Sequence, residues 1–177
     1  MFHHRDLLDD LNKPLPLKDK IMSAHRSIQQ KFPFIARIAI ALYDPETRIL
    51  KTYLHSSGED EPLAHYQSTL ENAPSLKEIL DKGLPRVVNN LVTFESGAHE
   101  HTQRIGRQGY AASYTMPMFH SGEFIGFLFF NAYQTDVFTE KVLSILDIYG
   151  HLISLMVINE LSTFKVMSAA LKTTSHI

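Results

Sequence analysis

The side chains best equipped for chemistry gather in one polar stretch, Asn89 to Tyr110, where His99, His101, Arg104 and Arg107 stand close together. His99-Glu100-His101 puts two imidazoles at positions i and i+2, a spacing that shares one face only on a strand, and here it falls in an expected loop. A metal site wants three or four ligands with an ordered second shell. Only Glu95 and Glu100 lie near as carboxylates, so the pair is read as solvated or pocket-lining rather than as metal-binding. Arg104 and Arg107 offer planar guanidinium donors. With the two histidines they would make a cationic wall for an anionic small molecule; the competing reading is an exposed loop whose charges are solvated. The small and polar residues that follow, Ser113 and Tyr114, complete the expected ligand-binding set, in a pocket between a sheet and residues 89–110.

Other chemistries have little footing. The chain contains no cysteine, which removes disulfides, zinc thiolates and thiol nucleophiles. There is no glycine-rich phosphate loop, no nucleophile elbow and no paired-carboxylate signature, so no catalytic residue is assigned and the chain is not read as an enzyme. The sequence leaves the identity of any cofactor open. A net charge of −2, with both signs interspersed, gives no footprint for nucleic acid. The longest apolar stretch, Val142 to Ile158, is interrupted by Ser144, Asp147, His151 and Ser154. That falls short of about 20 uninterrupted apolar residues, so no membrane partner is expected. The N-terminus lacks the apolar core of a signal peptide, and a cytoplasmic location is expected.

The elements that must position these residues follow from periodicity. Leu7, Leu8 and Leu11 recur at helical spacing before Pro14 and Pro16. Leu17, Ile21, Ala24, Ile28 and Phe32 then form one apolar stripe, which predicts a helix over 17–32. Residues 34–43 alternate as a strand, Asp44-Pro45-Glu46-Thr47 has turn chemistry, and 48–55 alternates again. Residues 56–72 read as loop. Ser75 and Glu78 are spaced as a capping box, and Gly83 suits the end of the short helix that follows. Residues 84–88 read as an edge strand because of Pro85. Residues 111–119 and 123–133 are the strongest strand pair, joined by His120-Ser121-Gly122, and the second is apolar on both faces and so central. Thr139 is placed to cap a last helix, with Phe138 and Leu143 as a hydrophobic staple. That helix is expected to run to about Leu171, roughly 48 Å at 1.5 Å per residue.

This order, with Ser113-Tyr-Thr-Met-Pro117, the Gly122 turn and Phe124-Ile-Gly126-Phe-Leu, resembles the GAF domain. Phe138-Thr-Glu-Lys-Val-Leu143 is similar to the start of that family's closing helix, and Ser75 to Asn89 to its segment of helix, glycine, proline and short strand. The resemblance spans about Leu17 to Leu161 and implies an α+β fold, a central antiparallel sheet flanked by helices (a GAF-like, PAS/GAF architecture). Pro117, awkward in a strand, then becomes expected, because the family pattern carries a proline there. The resemblance also implies a regulatory module. The family's cyclic-nucleotide pattern, an Asn-Lys pair and a Phe with a following Asp-Glu, is not found within the domain. Bilin attachment and methionine sulfoxide reduction need the missing cysteine.

On this reading residues 1–16 are an N-terminal helical extension, 17–160 the sensor domain and 161–177 the start of a signalling helix, ending without a turn signal as a truncated chain would. The narrow stripe Val157, Leu161, Phe164 and Leu171 suits a coiled-coil seam, so long N- and C-terminal helices are expected to form a dimer bundle. The closing helix is similar to linkers ahead of HD-GYP cyclic-di-GMP phosphodiesterase domains, which implies a fused C-terminal output domain. Three functions compete: a dimerising sensor of a small molecule whose identity the sequence leaves open, a ligand-free dimerisation scaffold, and a metal or haem redox sensor.

Overall fold

The strand Glu123–Ala132 sets the architecture, because the run Phe127-Leu128-Phe129-Phe130 is buried from end to end. A strand apolar on both faces needs a neighbour on each edge and a layer on each side. In the computed structural model, which describes residues 1–57, 67–93 and 109–174 and the side chains as far as Thr163, it has all four.

In chain order the strands are β1 (Ile35–Asp44), β2 (Ile49–His55), β3 (Gln67–Thr69), β4 (Arg86–Val88), β5 (Ala112–His120) and β6 (Glu123–Ala132). They form one sheet in the order β3-β2-β1-β6-β5-β4, and every neighbouring pair is antiparallel. The helices are α1 (Leu17–Lys31), α2 (Pro74–Lys82) and α3 (Glu140–Thr174), preceded by a 3-10 turn at Asp9–Asn12. The central antiparallel sheet and its flanking helices agree with the α+β expectation.

Two layers cover the sheet. On one face Ile35, Ile38, Ile40, Leu128 and Phe130 meet Ile21, Ala24 and Ile28 of α1 and Leu146, Ile153 and Val157 of α3 in the main core. On the other, Ala39, Ala41, Phe127 and Phe129 meet Leu76 and Ile79 of α2. Each large apolar side chain so buried contributes about 1.5–3 kcal/mol, and the two small β1 residues let α2 approach closely. His25 belongs to the first layer: buried on α1, its Nε2–H donates to Ile35 O at 2.8 Å, and burial holds its pKa below the usual range. His151 is exposed on α3.

The turns carry the chemistry their sequences imply. Asp44 accepts from the Glu46 amide and the Thr47 hydroxyl. Ser121 and Gly122 both have positive φ, 51° and 82°, as a two-residue type I′ hairpin requires. Gly83 closes α2 at φ 63°. Thr139 accepts from Val142 N at the start of α3. Pro117 is tolerated because β4 pairs with β5 only between Ser113 and Thr115, so at Pro117 that side of β5 needs no ladder donor.

Three expectations are corrected. Ser75 and Glu78 form no capping box: Pro74 occupies the first turn, Ala73 is the cap, and Ser75 is buried inside the helix. Residues 56–72 include the edge strand β3, which pairs with β2 at Ile49–Lys51. The polar interruptions of Val142 to Ile158 do not bar a span by themselves, since Glu140–Thr163 is long and apolar enough to cross a membrane on length and composition. Its Val142, Leu146, Tyr149, Ile153 and Val157 stripe nevertheless lies in the protein core.

Gly126 tests how tightly β1 and β6 are joined. Its φ is 151°, and a Cβ there would stand 2.0 Å from Ala41 O. Gly126→Ala is expected to destabilise the fold by at least about 1–3 kcal/mol. Gly83→Ala, with nothing within 4 Å of its Cβ, carries only a left-handed penalty of about 1–2 kcal/mol. Urea denaturation of both variants checks the order, and a costlier Gly83→Ala would contradict it.

Candidate functional site

The sheet face opposite α1 and α3 carries two kinds of surface. Under α2 it is apolar. Beyond α2 an unbroken polar row crosses three strands, because Arg37, Asn131 and Ser113 are register partners on β1, β6 and β5. All three are buried, at 3%, 0% and 5% exposure. Arg37 Nη1 donates to Asn131 Oδ1 at 3.1 Å, and Asn131 Nδ2 donates to Ser113 Oγ at 3.1 Å. The Arg37 guanidinium also lies over the Tyr110 ring, 5.9 Å from its centroid, and Tyr110 stacks on the exposed Tyr133 at 4.9 Å.

Each member is fixed by its surroundings. Antiparallel pairing alternates side chains between faces, so Asn131 must point away from α3 if Phe130 and Ala132 point toward it. Arginine's guanidinium holds its donors in a rigid planar fork, which suits it to bond the amide oxygen of a neighbouring strand. Two residues along each strand, Phe129 and Thr115 continue the same face. Next to Thr115 on β4 comes Arg86, whose Nη1 donates to Ser75 O of α2 at 2.9 Å. Burial lowers the Arg86 pKa, and nearby Glu78 opposes that shift. On the far side, His55 pairs with Ala39 and its Nδ1 lies 2.9 Å from Ser57 Oγ. The assembly is a row of buried polar side chains bonded to one another across the sheet face.

A separate groove of about 370 Å³ opens at the outer end of β1 and β2, between Leu42, Tyr43, Ile49, Lys51 and Tyr53. Among the described residues, no three His, Asp or Glu side chains stand together as metal ligands.

The expected site residues divide three ways. His99, His101, Arg104 and Arg107 lie outside the described residues. Ser113 does face the polar row. Tyr114 does not: as the next residue of β5 it points to the helical layer, where it stacks on Phe130 and donates a hydrogen bond to Asp147 of α3. Burial, and then that hydrogen bond, push the Tyr114 hydroxyl pKa up. Its expected role as a pocket residue is therefore corrected by strand alternation. Arg37 and Asn131 were missed. The signal was present, since each is a lone polar residue in a strand otherwise apolar on that stretch, in Ile35-Ala-Arg-Ile-Ala and Phe129-Phe-Asn-Ala.

Of the interface residues, Val157 is fully buried in the protein's own core, and Leu161 packs against the same core half-buried. Val157 thus offers no surface to a second chain. The side chains of Phe164 and Leu171 lie outside the described ones.

Asn131 is the keystone of the row. Asn131→Ala would deprive both a buried guanidinium and a buried hydroxyl, at a cost of at least about 1–3 kcal/mol, whereas Ser113→Ala removes one neutral bond worth about 0.5–1.5 kcal/mol. Chemical denaturation should rank them so; equal costs would mean that Asn131 does not organise the row.

Neither a family model nor a curated protein matches the sequence. Solved structures do. The GAF domain of a phosphoenolpyruvate-protein phosphotransferase from Coxiella burnetii is similar with a TM-score of 0.71 at 10% identity, over 90% of this chain and 92% of that one. A GAF domain/HD domain protein from Geobacter sulfurreducens is similar with a TM-score of 0.62 at 14% identity, over 82% and 95%. The GAF domain of a two-component sensor histidine kinase from Bacillus halodurans is similar with a TM-score of 0.61 at 15% identity, over 79% and 95%. The strand order and the helical layer therefore belong to one known architecture: the chain has the fold of a GAF domain.

Proposed function

We propose that this chain is a regulatory, small-molecule-sensing and dimerising domain of a bacterial signal-transduction protein, acting in the cytoplasm on a fused output domain rather than catalysing a reaction itself. The observation that carries the reading is the outer face of α3. Ile148 and Leu155 are 69% and 64% exposed, and with the half-buried Leu152 they form a second apolar stripe. At about 100° per residue that stripe lies on the opposite side of the helix from Leu146 and Ile153. One face of α3 is spent on the sheet, and the other is apolar without being needed there. An amphipathic core helix carries charge on that side, so a second helix, from a second copy, is the natural cover. The Geobacter sulfurreducens protein that pairs a GAF domain with an HD domain is an instance of such a fold beside a further domain; an output concerned with cyclic-di-GMP turnover is part of the proposal.

Sensing rests on the polar row. Arg37, Asn131 and Ser113 together suit an anionic or strongly polar small molecule, with His99, His101, Arg104 and Arg107 as further contributors. The scaffold alternative draws support from the other half of the same face, where Leu50, Leu76, Ile79, Phe127 and Phe129 fill the space under α2.

Sedimentation tests the first half of the proposal. The wild type is expected to be a dimer at tens of micromolar, a working range chosen for a helix interface of modest area. Ile148→Asp with Leu155→Asp is expected to give a monomer with an unchanged circular dichroism spectrum, since both positions are exposed in the single chain. A monomeric wild type, or a persisting dimer in the variant, would dispose of the α3 interface.

A thermal-shift screen with cyclic dinucleotides, nucleoside phosphates and small carboxylates separates sensor from scaffold. The sensor reading expects at least one saturable rise in the midpoint, of about 2.7 kcal/mol equivalent at a hundredfold excess over Kd. No shift across the panel would favour the scaffold.

A further inference from the structure

The closing helix is seated on the sheet mainly by apolar contacts, which are strong but tolerant of small slides. Its specific contacts are concentrated in a single turn, Asp147 to Gly150. Asp147 accepts the hydrogen bond from the Tyr114 hydroxyl of β5. Tyr149 shares a hydrogen bond of 2.6 Å with Ser27 of α1, buried at both ends. Gly150 lies so near β5 that a Cβ there would stand 2.3 Å from Met116 Sδ. Two directional bonds and one close approach in one turn define the helix's position, whereas Val142, Leu146, Ile153 and Val157 supply most of the burial.

The strand contact in that turn adjoins the polar row. Ser113 and Tyr114 are consecutive on β5, so their side chains leave opposite faces of the sheet. Ser113 ends the Arg37–Asn131–Ser113 chain on one side, while Tyr114 holds Asp147 on the other. Among the described residues, the outer edge of this part of β5 pairs with the three-residue strand β4 alone. A shift of β5 driven from Ser113 would therefore carry the Tyr114 hydroxyl with it.

We propose that the Tyr114–Asp147 hydrogen bond is a latch on the closing helix, and that the buried Arg37–Asn131–Ser113 row sets it from the opposite face of the sheet. A hydrogen bond to a carboxylate is steep in distance and angle, so a small displacement of β5 has two outcomes, seated and released. The apolar stripe alone would respond gradually. The signalling use of the latch rests on the regulatory reading above; the latch itself does not.

Hydrogen exchange by mass spectrometry on the full 177-residue chain tests it without any ligand. Tyr114→Phe keeps the ring and removes the donor. It should speed exchange of the amides of residues 145–157 about tenfold, the effect of losing one such bond from a local opening, and leave α1 and β1 unchanged. Asp147→Asn retains an acceptor and should stay within about twofold of wild type. Ser113→Ala, on the other face, should speed the same helical amides by about two- to fivefold, as a partial loss of that bond. In the Ser113→Ala/Tyr114→Phe double variant the helix should exchange no faster than in Tyr114→Phe alone, because a released latch has nothing left to transmit. Thr52→Ala, on the same sheet face in β2, should leave the helix at the wild-type rate.

A Ser113→Ala helix at the wild-type rate, or a double variant whose effects multiply, would overturn the coupling. Equal acceleration of α1, β1 and α3 in Tyr114→Phe would overturn the latch, since that is the mark of global destabilisation. A negative result here leaves the dimer and ligand tests standing, and failure of those would leave the latch as a contact with no signal to carry.

Discussion

Burial of β6 on both faces is the constraint from which the other elements follow. Phe127 and Phe129 face one way, Leu128 and Phe130 the other, and all four are at or below 4% exposure. Leaving either pair in water would forfeit several kcal/mol at about 1.5–3 kcal/mol per side chain. Two strands must therefore flank β6, and two layers must cover it. The helical layer is the larger, because α1 and α3 together present a long continuous stripe. Among the described residues the second layer is thin, a single short helix that does not reach one end of the face. That end is where Asn131 interrupts the apolar run. The one buried polar residue in the innermost strand is thus compatible with the fold only because its partners on β1 and β5 are polar too. A buried amide without partners would cost as much as a lost core side chain.

Much of this was legible from residue types alone. Strand and helix limits fell within a residue or two, since β1, β2, β5, β6 and α1 each carry an unambiguous period and are bounded by turn residues with defined geometry. The misreadings share a cause: local patterns overruled by the neighbouring residue. Ser75 had the spacing of a cap, yet Pro74 suits the first helical turn so well that the helix starts before it. β3 is too short and polar to show a period, and exists because β2 offers an edge. Val157 looked like the beginning of a coiled-coil seam, since a stripe spaced by three and four residues reads the same whether it faces a sheet or a second helix.

The candidate site was harder to read, and for a different reason. The conspicuous signal in the sequence is a dense run of histidines and arginines, whereas the buried polar residues that organise the sheet face are single residues far apart in sequence, Arg37, Ser113 and Asn131. Only register brings them together, and register between non-adjacent strands is not written in any local period. Tyr114 shows the same limit: alternation dictates that it and Ser113 face opposite ways, but which of them faces the helices depends on Ala112 and Met116 being in the main core.

Two kinds of contact divide the work of holding α3. Apolar burial fixes that the helix lies on the sheet, while a few directional contacts fix where along it the helix rests. The first kind of energy is large and diffuse, and the second small and local. A structure built only from the first would hold the helix at many nearly equivalent positions. One built only from the second would not hold it at all. By concentrating Asp147, Tyr149 and Gly150 in a single turn, the chain keeps the bulk stability of α3 separate from its position. A perturbation too weak to unfold the domain, of the size of one hydrogen bond, is then sufficient to move the helix. Because the polar row reaches β5 at the residue beside Tyr114, the part of the sheet best suited to meet a polar ligand is also the part mechanically closest to that turn.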